Sequence, residues 1–534
     1  MSVRTKASLP LLRRRGPGSF LRAAPWRGGV ATRPYLIDVC LAVAVGLAVL
    51  LVHDVLYMLH HSLWVDEGWV ADSVRARITL VPSMTSSTPL GWTLLLRLAP
   101  FGGPERLRLV PLAFTMLAAA TGYLFGRELR LTPFVTGILT GAAVLLSPAM
   151  LLRDDLKQYT AEAFAYLVLW VLVARVENEW RLRRLIAIAA VGSVGLLFAN
   201  TVIFVGVAAM ASLALACLVR RDYRRLPEIA GASAGMLIVG LGIYVTVIHP
   251  GVSPRLVADW HAHYMPTTSP SAAAHFLSRQ LRHLAPFMGF RPLIFDAAAA
   301  LAGIAALIWL RRYALAAMFP IMLALVIVAS AARKYPFGDL RTSTFWLVAV
   351  PLLMAVGVAA AGHLAGRIDR RLPLLVAVVA LAVWVPATNR YIRFHPIPNE
   401  DVHSEITYLE AHFRRGDVVI VSYGASFGFA YYYPATPSFP VGAIAPDGHV
   451  VAYPKLPWMV VMTARQPVDI ANALGTAENK IAAEPASARG RIWIVRSHQT
   501  RLEVRTWQTE LAGAPVETIR VGPEPILLYR YRPA

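Results

Sequence analysis

Long apolar runs, separated by short clusters of arginine, set the limits on what this chain can become. A helix needs about 20 apolar residues to cross a bilayer. Runs near 36–58, 107–125, 134–150, 160–175, 184–199, 201–219, 228–248, 293–310, 313–331, 343–361 and 373–387 meet or approach that length. The expected fold is therefore mainly α, a polytopic membrane helix bundle of about eleven spans. Only Ala199-Asn200-Thr201 separates the fifth run from the sixth.

The charges orient these spans. Arg127 and Arg130 follow the second run, Arg181, Arg183 and Arg184 the fourth, and Arg220, Arg221, Arg224 and Arg225 the sixth. Arg311 and Arg312, then Arg367, Arg370 and Arg371, continue the pattern. Every second connection is short and basic, which places those connections and the N-terminus in the cytoplasm. The opposite loops, 60–106, 151–159, 249–292 and 332–342, then lie outside. An odd number of spans also puts the C-terminus outside.

Composition agrees. Of 534 residues, 57% are hydrophobic and 16% charged, well under the roughly 25% charged of soluble domains. The formal net charge of +21 would suggest nucleic acid in a soluble protein, but here much of the arginine sits in the short inner connections, so no nucleic-acid partner is expected. Cys40 and Cys217 both fall in apolar runs and imply neither disulfide nor zinc.

Three regions follow. Residues 1–34 form a basic cytoplasmic arm, and residues 35–387 the multi-span domain. The first run is long for a signal-peptide core and is not followed by a convincing small-residue cleavage site. Residues 388–534 read as a small extracytoplasmic α/β domain. His403–Phe413 has amphipathic helical spacing, and Val418–Ser422, Arg491–Val495 and Ile526–Arg530 have the apolar character of buried strands.

Chemistry concentrates in the outer loops. Directly after the first run, Asp66 and Glu67 stand between Trp64 and Trp69. Indoles favour the interface, whereas carboxylates beside hydrocarbon need a reason to be there. Asp66 suits a general base that takes a proton from an acceptor hydroxyl. The alternative is local, with Asp66 capping a helix and Glu67 in its first turn. Adjacent helical positions diverge, so Glu67 takes a supporting role. Arg75 and Arg77 follow as second-rank phosphate ligands.

The next outer loop packs Arg153, Asp154, Asp155, Lys157 and Tyr159 into one short turn. Its acids suit orienting a sugar or a helper divalent cation. Lys157 suits a phosphate, and Tyr159 suits either a phosphate oxygen or the interface. Late in the chain, Arg333, Lys334 and Arg341 concentrate positive charge on the outer side, against the charge rule, with Tyr335 beside them as a further donor-binding candidate. Guanidinium forks match phosphate oxygens, although lipid headgroups or Asp339 offer a simpler use. His261 and His263 point apart at i,i+2 spacing and lack a third ligand, so they read as ordinary loop histidines.

Together these residues resemble the GT-C superfamily of integral-membrane glycosyltransferases, which includes the protein O-mannosyltransferases and the lipid A aminoarabinose transferases. In that family an acidic motif follows the first span, as Val65-Asp66-Glu67 does here. A Pro-Leu element comes late in the same loop (Thr88-Pro89-Leu90), and a second acidic site in the next outer loop, for which Asp154 and Asp155 are both candidates. A Tyr-Pro-Phe-Gly segment with a following Arg often precedes a late span, matching Tyr335–Gly338 and Arg341. The resemblance covers about residues 36–387.

The resemblance implies a monosaccharide donor carried on polyprenyl phosphate at the outer face of the inner (plasma) membrane. The acceptor would be a cell-envelope glycan, lipid or protein, attacked with inversion. Lys157, Arg333, Lys334 and Arg341 would meet the phosphate, and a divalent cation remains compatible with the acids. The sequence independently lacks a Walker motif and a Gly-x-Gly-x-x-Gly after a strand. The main rival is a transporter or flippase of a lipid-linked sugar. Such proteins carry ionisable groups within their spans, whereas Asp38, Asp54, Glu162 and Asp296 lie towards span ends. A non-catalytic envelope scaffold would not explain acids in two outer loops and bases in a third.

Overall fold

The computed structural model describes residues 35–81, 88–99, 103–153, 155–249, 257–258, 260–290, 293–392, 400–433 and 456–530. The basic arm, residues 1–34, lies outside them. By contact the chain divides into Met1–Cys40 and Leu41–Ala534, so the membrane helices after the first and the C-terminal residues belong to one compact unit.

Every apolar run is helical. Among the described residues, seven helices are long and apolar enough to cross a membrane, and an eighth crossing is available if the bent pair Pro270–Met288 and Leu293–Trp309 counts as one. Pro133–Leu145 and Leu182–Val194 are 13 residues each. At 1.5 Å per residue they rise only about 20 Å, short of the roughly 30 Å hydrocarbon core. Pro148–Leu151 and the 3-10 turn Gly195–Leu197 follow them closely and lengthen them. Prolines at the first positions of Pro104–Leu129 and Pro133–Leu145 start these helices where a missing N–H costs nothing.

Lipid chains are as apolar as leucine, so helices in a bilayer associate through close packing. Small residues allow it here. On Pro104–Leu129, a side chain at Gly126 would come within 2.5 Å of the Thr136 carbonyl, and one at Gly303 within 2.0 Å of the Leu353 carbonyl. These approaches fix Pro104–Leu129 against Pro133–Leu145, and Leu293–Trp309 against Ala349–Ala365.

The basic connections meet at one end of the bundle. Arg175 pairs with Glu128 at 3.0 Å, Arg220 with Glu177 at 3.3 Å, and Arg312 with Asn178. Tyr159–Asn178 starts at the other end, where the acidic loops lie. Several of the arginine clusters that follow apolar runs thus come together at one end. At that other end the stretch 249–292 is more than a loop. It contains the amphipathic helix Pro270–Met288, which buries Phe276, Gln280 and Leu284 on one stripe.

The C-terminal region forms a five-stranded sheet in the order β2-β1-β3-β5-β4, with β1 at Val418–Val421, β2 at Met459–Val461, β3 at Ile492–Val495, β4 at Val516–Ile519 and β5 at Ile526–Tyr529. β1 pairs in parallel with β2 and β3, while β5 runs antiparallel to β3 and β4. β1, β3 and β5 are buried throughout, as expected for a sheet covered on both faces. Ile470, Leu474, Ile481 and Trp507 cover one face, and Val402, Ile406, Leu409 and Phe429 the other. The helix and strands expected from sequence are present at Val402–His412, β1, β3 and β5.

Candidate active site

The first outer segment folds into the helix Val65–Arg75. Its start is capped from far away in sequence: Glu400 Oε2 accepts from the Val65 N–H at 2.9 Å. Asp66 and Glu67 leave that first turn in different directions, as adjacent helical positions must.

Glu67 turns inward and is fully buried. Arg108 donates to it twice, Nε to Oε1 at 3.0 Å and Nη2 to Oε2 at 2.6 Å, and the Leu156 N–H donates to Oε1 at 3.0 Å. Burial opposes its charge, but Arg108 and His61 outweigh burial and hold the carboxyl at about 2. The Leu156 carbonyl in turn accepts from Trp92 Nε1 at 2.8 Å. Trp92 sits on Leu90–Leu96, the helix begun by the Pro-Leu element. Gly91 lets that helix pack on the Leu197 carbonyl, which a side chain would meet at 2.5 Å. The acidic motif, the Pro-Leu element and the second outer loop are therefore one bonded unit, and its product is the placement of Lys157.

Asp66 faces a cavity of about 1020 Å³. Arg341 Nη1 donates to its Oδ2 at 2.9 Å. The Arg341 guanidinium lies over the rings of Trp64 and Trp260, 5.3 and 5.8 Å from their centroids, positions that favour a cation. Asp339 fixes Arg341 from behind by accepting from its N–H at 3.0 Å as the cap of Leu340–Leu347. Burial pushes the Asp66 carboxyl up, yet Lys157, Arg341 and His498 prevail and leave it below the ordinary carboxylate range. Burial also lowers the Lys157 ammonium, whose nitrogen stands 4.7 Å from the Trp69 ring centroid.

Tyr159, Arg333, Lys334 and Tyr335 line the same cavity. The Tyr335 hydroxyl donates to the Thr342 carbonyl at 2.8 Å. Gly338 adopts φ +97, with a side chain excluded by Gln280, and the Phe337 N–H donates to the His263 carbonyl at 2.8 Å. The Tyr-Pro-Phe-Gly segment is thus a braced turn that delivers Tyr335 and Arg341.

The structure redistributes the other expected site residues. Glu67 lies off the cavity, because its carboxylate is spent on Arg108 and Leu156. Asp155 is buried and pairs with Arg153 at 3.3 Å, also off the cavity wall. Arg75 donates to the Tyr431 carbonyl at 2.6 Å and stacks on that ring, so it fastens the C-terminal domain. Arg77 is exposed and does not line the cavity. Asp154 lies outside the described residues. Among the described residues, no three of His, Cys, Asp or Glu come together as a metal centre. His263 lines the cavity without forming a ligand set.

Part of the wall was invisible in the sequence. Glu162, just inside Tyr159–Asn178, faces the cavity. The C-terminal domain adds Tyr423, Phe427, Arg465, His498 and Thr500. They sit more than 350 residues after Asp66, and their one sequence signal is position: Tyr423 and His498 follow apolar runs that read as strands.

No protein-family model matches the chain, and no curated protein matches it in sequence. Solved structures match in fold. ArnT from Cupriavidus metallidurans bound to undecaprenyl phosphate aligns at a TM-score of 0.52 and 13% identity, over 93% of this chain and 97% of that one. The same protein in the apo state gives 0.51 and 14% over the same shares. The Archaeoglobus fulgidus oligosaccharyltransferase in complex with zinc and sulfate gives 0.51 and 11%, over 86% of this chain and 67% of that one. The chain thus shares its overall fold with ArnT and with the oligosaccharyltransferase.

Proposed function

We propose that this protein is a membrane glycosyltransferase that moves a monosaccharide from a polyprenyl-phosphate donor to a hydroxyl of a cell-envelope glycan, lipid or protein. One observation carries the reading: a carboxylate, Asp66, shares one cavity with Arg341, Lys157, Arg333 and Lys334, and that cavity also takes in Ile203, Phe204 and Ile248 from apolar helices. An apolar wall beside a cluster of cations suits a lipid phosphate. ArnT, of the same fold, has been captured with undecaprenyl phosphate.

In this reading the donor phosphate lies against Arg341 and Lys157, with the prenyl chain along the apolar wall. The acceptor oxygen attacks the anomeric carbon from the side opposite the phosphate. Asp66 takes the hydroxyl proton, the bond from carbon to phosphate oxygen breaks, and polyprenyl phosphate leaves with inversion. The cations are fixed before reaction, so they stabilise the growing phosphate charge without reorganising. The basic connections at the opposite end of the bundle support a reading in which this chemistry faces the extracytoplasmic side of the plasma membrane. Zinc accompanied the oligosaccharyltransferase, but the described residues here do not fit a metal: Asp66 and Asp155 are each paired with arginine.

The test is Asp66→Asn in membranes supplied with a labelled lipid-linked sugar. Loss of transfer by about a hundredfold or more, with the chain still folded, is expected for a general base. Full transfer in the variant refutes the assignment. Movement of the labelled lipid across the bilayer without transfer favours the flippase.

A further inference from the structure

The parallel part of the C-terminal sheet has the order β2-β1-β3. The chain leaves β1 for β2 on one side and returns past β1 to β3 on the other. That reversal makes a switch point between β1 and β3, and in open α/β sheets ligands bind in the crevice beyond the carboxyl ends of the strands there. In this protein that crevice opens into the cavity that holds Asp66. Tyr423 follows β1, Arg465 follows β2 and His498 follows β3, and all three line the cavity. The two walls of the crevice are close: a side chain at Gly424 would come within 2.1 Å of the Ser497 carbonyl.

His498 is placed with unusual care. Its φ is 53, a left-handed conformation that costs a non-glycine residue energy. Glu524 accepts from its N–H at 2.7 Å, and Arg465 donates to its carbonyl at 3.2 Å. Its Nδ1 is 2.5 Å from Glu400 Oε1. A carboxylate at that distance calls for a proton on Nδ1 and fixes the orientation of the ring. Glu400 is buried, and its other oxygen accepts from the Val65 N–H at 2.9 Å and Ser497 Oγ at 3.3 Å. One carboxylate thus holds both the His498 ring and the backbone immediately before Asp66.

We propose that this crevice is the acceptor subsite and takes a carbohydrate, with the Tyr423 and Phe427 rings against the sugar face and His498 and Arg465 bonding its hydroxyls. The inference rests on the glycosyl-transfer reading and adds the acceptor class to it. Tyr423 and Phe427 stand edge to face at 5.8 Å, and Phe427 continues to Trp69 at 6.3 Å. An aromatic wall with a few placed polar groups orients a ligand that has both an apolar face and hydroxyls. Asp66 interacts with Lys157 and Arg341 from the membrane domain and with His498 from the crevice. Donor phosphate and acceptor hydroxyl would therefore approach the same carboxylate from two different domains.

The experiment uses the full chain in lipid nanodiscs. Undecaprenyl phosphate probes the donor side. Polysaccharide extracted from the envelope of a host lacking this protein serves as acceptor, with labelled polyprenyl-phosphate sugar from its membranes as donor. His498→Ala, Arg465→Ala and Tyr423→Ala should each raise the acceptor KM about tenfold, the size of one lost hydrogen bond or stacking contact. Affinity for undecaprenyl phosphate and the donor KM should stay within about twofold, a factor far below one such contact. Tyr423 is only half-buried and starts a separate helix, so its variant reports even if the strained His498 turn fails to fold. Unchanged acceptor KM in these variants, or a donor KM that rises with it, overturns the subsite. No transfer by the wild-type protein to polysaccharide, with transfer to an envelope lipid or protein fraction, overturns the carbohydrate subsite alone; no transfer to any of the three overturns the function itself, and the subsite with it.

Discussion

Glu67 and Asp66 divide the acidic motif between holding and reacting. Glu67 is in a buried pair with Arg108, and removing one member of such a pair strands the other charge at a cost of about 3–5 kcal/mol. Glu67→Gln should therefore lower the unfolding temperature sharply in detergent, while Asp66→Asn should leave it nearly unchanged. The pH dependence has a definite sign. Glu67 sits at about 2 when folded and near 4.5 as a free group, so its stabilisation is complete above 4.5 and is lost as pH falls towards 2. Thermal unfolding between pH 5 and pH 2.5 would show the loss in the wild type and its absence in Glu67→Gln. Asp72 is the opposite case. It is fully buried, neither carboxylate oxygen has a hydrogen-bond partner among the described residues, and burial raises it well above the ordinary range. Above the unfolded value, near 3.9, folding must protonate it, which costs stability at neutral pH. Asp72→Asn should raise the unfolding temperature at pH 7 and make little difference near pH 3.

At the scale of elements, the bond from Trp92 to the Leu156 carbonyl joins the Pro-Leu helix to the loop that carries Lys157. Trp92→Phe leaves that buried carbonyl short of a donor, worth about 1–3 kcal/mol, and loosens Lys157. Undecaprenyl phosphate affinity should weaken several-fold, measured by titration, with Asp66 chemistry otherwise intact. These elements were legible to different degrees. The helical runs read directly because a bilayer demands uninterrupted apolar length. β1, β3 and β5 showed as short apolar runs because they are covered on both faces. The amphipathic helix Pro270–Met288 was missed: its buried stripe of Phe276, Gln280 and Leu284 contains a polar residue, and Arg279, Arg282 and His283 hide the periodicity. The role of Glu67 was half legible. Divergence from Asp66 follows from helix geometry, but its partner Arg108 lies on another helix. Arg75 misled because a loop arginine reads as a phosphate ligand until the Tyr431 carbonyl that it holds is known.

For the whole molecule, the C-terminal domain is part of the machine. Its Glu400 caps the Asp66 helix, its Tyr432 hydroxyl accepts from the Leu63 N–H at 2.8 Å, and its crevice completes the cavity wall. No sequence pattern could announce this, since these bonds join residues 335 and 369 positions apart. Sidedness belongs to this scale too. With Cys40 and Cys217 replaced, a cysteine at exposed Thr407 should react with a membrane-impermeant reagent in intact cells, and one at exposed Arg224 only after permeabilisation. Asp66, within its cage of cations, is the residue we propose to carry transfer of a sugar from a lipid phosphate. The most direct measurement compares the purified full chain with its Asp66→Asn variant in nanodiscs, following labelled sugar from polyprenyl phosphate to envelope polysaccharide. The account predicts transfer by the wild type, none by the variant, and equal undecaprenyl phosphate binding to within a few-fold. Transfer by the variant at the wild-type rate would contradict it.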